Sequence, residues 1–288
     1  MDEIYTMLPP YKLKICQHGS DGFGHQLEGM LRILSLSLND KAEYMYDCKT
    51  RYTFEHSNFN VDLLNSYLLN ALRTLSNEPS QKIPIVDKTY KIFLGENRTF
   101  ENIIANDADH SNTIYCYDGV GCGRFLPSNF EHIDELKKSL PQLRNAFVLN
   151  NPNLPEPSYD RTKTNIVCHI RLGDAVGTRR LDTDALFDFI KKKQIDKNNR
   201  IIIHSDGDID SLKSDNTILF DRTTDVLQVL SDFIHADVLI MNYSALSIAA
   251  HLLAHENQIV FCPNVAGPTF CHRILQKCIK ISDAQLIK

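Results

Sequence analysis

The chain has 288 residues, of which 43% are apolar, and carries a formal net charge of -5 with a pI near 6.1. This length can bury one large core or two domains of ordinary size, and two domains are expected. Because nucleic acids and anionic membranes require a basic protein surface, the mild acidity argues against both as main partners. The amino-terminal stretch lacks the features of a targeting signal, and no apolar run approaches the roughly 20 residues of a membrane helix, so a soluble, cytoplasmic protein is expected.

The first half begins with an apolar run, "LKICQH", followed by "GSDGFGHQLEG" and the helical pattern "QLEGMLRILSLSL". Glycine collects where the backbone needs positive φ or where another group must approach the main chain closely. A phosphate is such a group, because free amides at the start of a helix bind anions. Further strands are predicted at "AEYMYDC", "KIFLG" and "TIYCYDGVGC".

Residues 149–164, "LNNPNLPEPSYDRTKT", combine three prolines with polar residues and show no periodicity. This composition is typical of a linker. It divides the chain into an amino-terminal α/β domain at residues 1–150 and a carboxyl-terminal domain at residues 151–288.

The second half alternates between β-branched runs and amphipathic patterns, which predicts βαβ units and a parallel sheet. The predicted strands are "NIVCHI", "RIIIHS", "TILF", "DVLIMN" and "QIVFC", and the predicted helices are "DTDALFDFIKKK", "TTDVLQVLSDFIH" and "ALSIAAHLLAH". Such a doubly wound domain binds ligands beyond the carboxyl ends of its strands, where the strand order reverses. The expected architecture is two Rossmann-type α/β domains that face each other across a cleft.

The segment "CHIRLGD" places Arg171 just after a predicted strand. A guanidinium there presents a planar set of donors that matches phosphate oxygens and stays charged at every relevant pH. The alternative from spacing alone is a surface pair of Arg171 with Asp174 at a turn closed by Gly173.

"HIRLGD" resembles the H-x-R-x-G-D motif of the GT-B fucosyltransferase superfamily, which comprises α1,2-, α1,6- and protein O-fucosyltransferases. Three further segments are similar to family motifs in the family's order: "GFGHQLEG", "IIIHSDGD" and "DVLQVLSDFIHADVLIMNYSALSIAAH". The resemblance spans residues 15–261 and is carried by these four patches. It implies a GT-B-like fold with the nucleotide-sugar donor bound by residues 151–288 and the acceptor on the side of residues 1–150.

The resemblance assigns a role to each matching residue of the second half. Arg171 matches the arginine that holds the β-phosphate and is needed for activity, and His169 matches a residue near the donor base and ribose. Asp174 would hold the loop that carries Arg171 in shape, and Asp206 would line the donor pocket. Asp225 would recognise the edge of the guanine base by accepting two N–H bonds from it. The structural alternatives are a hydrogen-bonded strand-end histidine at 169, a helix cap at 206 and an acidic first-turn residue at 225.

Two serines and the glycine loop complete the expected donor site. Ser244 and Ser247 flank the start of a helix, so hydroxyls and amides would face a phosphate there, although Ser244 also suits a plain N-cap. Gly22, Gly24 and His25 match the family's early loop, whose backbone amides turn toward the diphosphate. His25 departs from the asparagine or cysteine of many members, and the last motif lacks a second serine, so the identity of the donor stays open.

The implied reaction is an inverting, metal-independent transfer of fucose from GDP-fucose to a hydroxyl of a glycan acceptor, with Arg171 stabilising the departing diphosphate. No metal or other cofactor is expected, and the eight cysteines show no zinc-like spacing. A general base is expected, and Asp21, His25 and Glu28 are candidates by location only.

Four alternatives remain open. A GT-B enzyme could use another donor such as UDP-xylose, since the diphosphate chemistry does not read the base. A GT-A-type, metal-dependent transferase is suggested by "DGDID" at residues 206–210. A nicotinamide or flavin enzyme is disfavoured because the loop reads G-x-x-G-x-G in place of G-x-G-x-x-G. A non-catalytic protein that binds glycans or nucleotide sugars would not need Arg171.

Overall fold

The computed structural model describes residues 11–16, 22–39, 42–44, 52–54, 60–75, 89–92, 114–118, 133–172, 183–241, 244–262 and 278–280. In the first half, strands β1 to β4 are Tyr11–Cys16, Ala42–Tyr44, Thr89–Ile92 and Ile114–Asp118. Helices α1 to α3 are Phe23–Leu38, Val61–Leu75 and Ile133–Arg144, and α3 continues into a π-helical turn at Asn145–Leu149.

In the second half, strands β5 to β10 are Thr164–Ile170, Asn199–Ser205, Thr217–Phe220, Val238–Ile240, Ile259–Cys262 and Cys278–Lys280. Helices α4 to α6 are Thr183–Gln194, Val226–His235 and Ala245–Leu253, and a short 3-10 turn covers Asp210–Leu212. The five strands and three helices predicted for this half are confirmed. In the first half, β3 begins at Thr89, two residues before the predicted "KIFLG", of which Lys91 and Ile92 fall within the described residues.

The strands form two parallel sheets. The first has the order β2-β1-β4-β3 and the second the order β10-β9-β8-β5-β6-β7. The second sheet starts at β5, adds β6 and β7 on one side, and then adds β8, β9 and β10 on the other. The order therefore reverses between β5 and β8, which is the place where doubly wound sheets bind ligands.

Side chains of β5 and β6 alternate between the two faces of the second sheet. Val167 and Ile202 belong to a large apolar cluster shared with α5 and α6, whereas Cys168 and Ile203 belong to a smaller cluster shared with α4. Both faces are thus covered by helices, which explains why these strands read as nearly continuous apolar runs. His169 and His204 follow the alternation and lie on the face of the larger cluster.

The larger cluster includes helices from both halves of the chain. Apolar residues of α1 recur three and four positions apart, and this face packs against α3 and α6. The cluster members from α1 are Phe23, Leu27, Met30, Leu31 and Leu34. Helices of residues 1–150 and helices of residues 151–288 therefore share one apolar core.

The predicted linker is irregular between the π-helical turn, which ends at Leu149, and β5, which begins at Thr164, but it is held against α5. Ser231 Oγ donates to the carbonyl of Pro155 at 2.5 Å, and Gln228 Nε2 donates to that of Glu156 at 2.9 Å. The Tyr159 hydroxyl donates to the carbonyl of Asp232 at 2.7 Å. None of the helices within the described ranges combines the length and the apolarity that crossing a bilayer requires.

Candidate functional site

The exits of β5 and β6 are held together by Asp206. Its Oδ1 accepts a hydrogen bond from the amide of Leu172, the residue after Arg171, at 2.6 Å. A Cβ on Gly207 would lie 2.5 Å from the Cβ of Leu172, so glycine is needed for this close approach. The half-buried Arg171 is therefore presented by a loop that the neighbouring strand exit supports. Asp206, expected to line a donor pocket, makes a bond here that orients the arginine loop.

The start of α6 lies beside the end of β5. Ser244 is the N-cap of α6, although its side chain makes no capping bond among the described residues. Ser247, in the first turn, is fully buried, and its Oγ lies 2.6 Å from Nδ1 of His169. The structure thus brings Ser247 and His169 together, and the Ser247 hydroxyl contacts the imidazole of His169.

The glycine loop of the sequence contacts the same helix. Gly22 directly precedes α1, and its carbonyl accepts the first helical hydrogen bonds, from the amides of His25 and Gln26 at 3.1 and 3.3 Å. A Cβ on Gly24 would lie 2.5 Å from the amide nitrogen of Leu246 and 2.8 Å from its Cα. The group that approaches Gly24 is therefore the backbone of α6. The amide of His25 bonds within its own turn, so only its half-buried side chain could serve a ligand.

The first turns of α1 and α6 consequently meet beside the end of β5, at the place where the strand order reverses. The first amides of a helix lack intrahelical partners, and the helix dipole places partial positive charge there. Two such ends lie near the end of β5, and Arg171 directly follows this strand. The arrangement suits a phosphate or diphosphate.

The start of α1 is held in place from the first half of the chain. Gln26, the glutamine of the "GFGHQ" motif, donates through Nε2 to the carbonyl of Thr53 at 2.7 Å. The Asn65 side chain on α2 accepts from the amide of Tyr52 at 2.6 Å and donates to its carbonyl at 2.9 Å. This glutamine therefore has a structural role in orienting the loop.

The imidazole of His169 sits in surroundings that disfavour a second proton. Burial, the positive charge of Arg171 and the neighbouring His204 lower the pKa of His169 to about 3, and Asp206 opposes them only in part. His204 is its direct neighbour across the β5–β6 pairing, and the ring of Phe233 packs at a centroid distance of 5.1 Å. His169 is therefore neutral near pH 7.

Two further candidate residues, Asp225 and Glu28, bond to other parts of the protein. Asp225 is the N-cap of α5, where its Oδ1 accepts from the amide of Leu227 at 2.8 Å, so it precedes the first turn in which it was expected. Glu28 is a poor candidate for a general base, because it is buried in an ion pair with Arg32 on the same helix. Asp174 and Asp21 lie outside the described residues.

Acidic residues of the "DGDID" segment engage backbone amides. Asp206 accepts from Leu172, and Asp208 Oδ1 accepts from the amide of Asp210 at 3.0 Å. Across the described ranges, no group of three or more His, Cys, Asp or Glu side chains is arranged to hold a metal ion. The expectation of metal-independent transfer stays a prediction.

A buried network around Asp232 was missed by sequence analysis. The carboxylate accepts from Ser158 N and Oγ at 2.7 and 2.6 Å, from His204 Nε2 at 2.8 Å, and from Gln228 Nε2 at 3.1 Å. Burial alone would raise the pKa of Asp232, but the bonds from His204 and Ser158 outweigh it and leave the pKa lowered. A signal was available, since Asp232 lies between the apolar residues Leu230 and Phe233 in an amphipathic helix, separated from Leu230 by Ser231 alone.

No protein-family model matches the sequence. No curated protein matches it either. Among solved structures, the chain is similar to the bacterial iron-containing dodecameric glycosyltransferase TibC from enterotoxigenic E. coli H10407, with 11% sequence identity and a TM-score of 0.33. The match covers 88% of this chain and 58% of that chain, so this chain spans little more than half the length of its neighbour.

Proposed function

We propose that the chain is an inverting, metal-independent glycosyltransferase of the GT-B type that moves fucose from GDP-fucose to a hydroxyl of a glycan acceptor. The observation that carries the proposal is the meeting of the first turns of α1 and α6 near the end of β5, the strand that Arg171 follows, at the reversal point of the second sheet. Residues 151–288 would bind the donor, and residues 1–150 would contribute the glycine loop and the acceptor side. The four motif resemblances support this assignment.

In the proposed reaction, the acceptor oxygen attacks the anomeric carbon of the sugar. The bond between that carbon and the β-phosphate oxygen breaks, and the nucleoside diphosphate leaves with the bonding electrons. Arg171 and the helix amides stabilise the negative charge that develops on the diphosphate, and such preorganised donors contribute on the order of 3 kcal/mol each. The acceptor proton passes to a general base. Because Glu28 is committed to Arg32, Asp21 and His25 remain the candidates.

A UDP-sugar donor, such as UDP-xylose, is the second candidate. The observation that favours it is the cap at Asp225, because Oδ1 of this carboxylate is already bound to the amide of Leu227. Reading guanine would require two N–H bonds to the same side chain. The diphosphate site itself recognises either donor equally well.

The first test is thermal stabilisation of the protein by GDP, UDP, CDP, ADP and NAD, with and without magnesium. Any ligand of the native state raises the midpoint of unfolding by mass action. We expect a shift with GDP that does not depend on magnesium, and release of GDP from GDP-fucose that persists in EDTA. A shift with UDP in place of GDP would indicate that the donor is a UDP-sugar. A shift with NAD alone, or no shift with any nucleotide, would overturn the proposal.

Arg171→Ala should lower the rate of transfer by about a hundredfold or more while the fold is retained, because a half-exposed strand-exit arginine adds little stability. The matched control is Arg161→Ala. Arg161 is an exposed arginine of the linker, and it lies 3.6 Å from the carboxylate of Glu156, also in the linker. Rates and circular dichroism of both variants are compared with those of the wild type. Normal transfer by Arg171→Ala would show that the site lies elsewhere.

A further inference from the structure

The hydrogen bond between Ser247 and His169 determines where the imidazole carries its proton. Ser247 lies in the first turn of α6 and is fully buried. Its Oγ is 2.6 Å from Nδ1 of His169, and among the described residues this ring nitrogen is the single partner of the hydroxyl. A buried hydroxyl that donates to nothing is costly, whereas an unused acceptor lone pair is tolerated better.

Ser247 therefore donates its proton to Nδ1, and Nδ1 acts as the acceptor. The reverse arrangement, with Nδ1–H donating to Oγ, would leave the buried O–H of Ser247 without an acceptor among the described residues. In a neutral imidazole only one nitrogen carries a proton. The proton of His169 must then be on Nε2, the ring nitrogen that does not bond to Ser247.

The groups that face His169 keep the ring neutral. Phe233 packs on it from α5, His204 adjoins it from β6, and Arg171 follows it at the end of β5. Asp206 is the one carboxylate among the groups that act on the ring within the described residues, and its charge does not outweigh burial and Arg171. An imidazolium would also turn Nδ1 into a donor and remove the acceptor that Ser247 uses.

We propose that Ser247 is a positioning residue that fixes His169 as a neutral imidazole protonated on Nε2, so that the ring offers one N–H donor to an acceptor oxygen of the ligand. This inference rests on the proposed function for the identity of the ligand, a nucleoside diphosphate bound beside Arg171. His169 then acts as a fixed, uncharged donor that complements the charge of Arg171. It takes no part in moving a proton during transfer.

The tautomer is tested directly by long-range ¹H–¹⁵N correlation spectra of the full chain labelled on histidine nitrogen. We expect His169 to show a protonated Nε2 and an unprotonated Nδ1, with no change from about pH 8 to about pH 5, since its pKa lies near 3. The His169→Asn variant identifies the signals. A protonated Nδ1, or titration of the ring within this interval, would refute the assignment without use of any nucleotide.

Ser247→Ala removes the donor to Nδ1 and should let the ring exchange between its two tautomers. The matched control is Ser231→Ala, because Ser231 is also a fully buried helical serine and donates to the carbonyl of Pro155, away from His169. We expect the control to leave the His169 tautomer unchanged. A Ser247→Ala variant that keeps one Nε2–H tautomer would show that Ser247 does not position the ring.

The acceptor oxygen is identified by adding pyrophosphate or GDP to the labelled protein. A shift of the Nε2 signal with pyrophosphate points to a phosphate oxygen, and a shift with GDP alone points to the nucleoside. Ser247→Ala should weaken GDP binding by only about twofold, because a ring that exchanges between tautomers still carries its proton on Nε2 for part of the time. GDP that binds without moving the His169 signal would exclude His169 as a donor, whereas absence of all nucleotide binding would refute the proposed function and leave the measured tautomer standing.

Discussion

Gly24 shows how the absence of one side chain sets the distance between two helices. The first turn of α1 reaches the backbone of Leu246 so closely that a Cβ would lie 2.5 Å from its amide nitrogen. The glycine cluster predicted a close approach of another group to the main chain, and the approaching group at Gly24 is a helix. The glycine thereby brings two helix amino termini to the same edge of the second sheet.

Gly24→Ala should destabilise the protein by about 1–3 kcal/mol, the usual cost of forcing an extra carbon into a tight contact. An ordinary Gly→Ala change within a helix has the opposite effect and stabilises the protein by about 0.5–1 kcal/mol. Urea denaturation measures the free energy of unfolding. Because the contact involves the backbone of Leu246, shortening this side chain in Gly24→Ala/Leu246→Ala should not restore stability. A single variant at least as stable as the wild type would contradict the contact.

Individual contacts were less accessible to sequence analysis than the positions of residues. Arg171 and His169 could be placed at a strand end because the apolar residues 166–168 precede them and a glycine follows. The bond of His204 to Asp232 joins residues 28 positions apart, so no local pattern reports it. Glu28 looked available because its position was near the glycine loop, but its burial depends on how α1 packs.

At the scale of single elements, the second half was predicted more accurately than the first. Strands β5 and β6 are rich in β-branched residues and are buried on both faces, whereas the helices have one apolar face each, so the hydrophobic periods of strands and helices differ clearly. Strands β2 and β3 have only three and four residues, which leaves little periodicity to detect. The N-cap at Asp225 follows from local chemistry, since aspartate before an apolar helical pattern is a common start signal.

Asp225→Ala should cost about 1 kcal/mol of stability, because the bond from Oδ1 to the amide of Leu227 is lost. Asp225→Ser keeps a good cap and should retain nearly full stability, although it cannot accept two N–H bonds in the manner of a carboxylate. Thermal shifts of both variants with GDP and UDP separate the two roles. Unchanged preference between GDP and UDP in Asp225→Ser would exclude Asp225 as the reader of guanine.

At the scale of the whole molecule, strand order and the position of the linker had to come from the structure. The sequence predicts parallel strands joined by helices, but neither the reversal between β5 and β8 nor the neighbours of each strand is encoded in a local pattern. The linker was expected to separate two domains. In the structure, hydrogen bonds to Asp232, Ser231 and Gln228 hold it along α5.

Asp232→Asn should lower the free energy of unfolding by about 3 kcal/mol near pH 7, because an amide cannot accept every hydrogen bond that the carboxylate accepts. The lowered pKa of Asp232 means that the native state binds this proton less readily than the unfolded chain. Its contribution is therefore complete above the unfolded pKa of about 4 and is lost as the pH falls further.

Denaturation at several pH values should show a shallower loss of stability below about pH 4 in Asp232→Asn than in the wild type. Asp184→Asn is the control, because Asp184 is an exposed carboxylate in the first turn of α4, and it should change stability by less than about 1 kcal/mol. Equal acid dependence in Asp232→Asn and the wild type would show that the network adds no charge-dependent stability.

The apolar core shared by α1, α3, α5 and α6 constrains how the chain can diverge. A substitution on the packing face of α1 alters the surface that α6 must fit, so the two halves must accumulate changes in step. Exchange of residues 151–288 for the corresponding part of a distant relative would bring an α6 face matched to another α1. Recombination at the linker, where the sequence suggests a natural boundary, would therefore break the core, whereas a junction that keeps α1, α3 and α6 from one parent would preserve it.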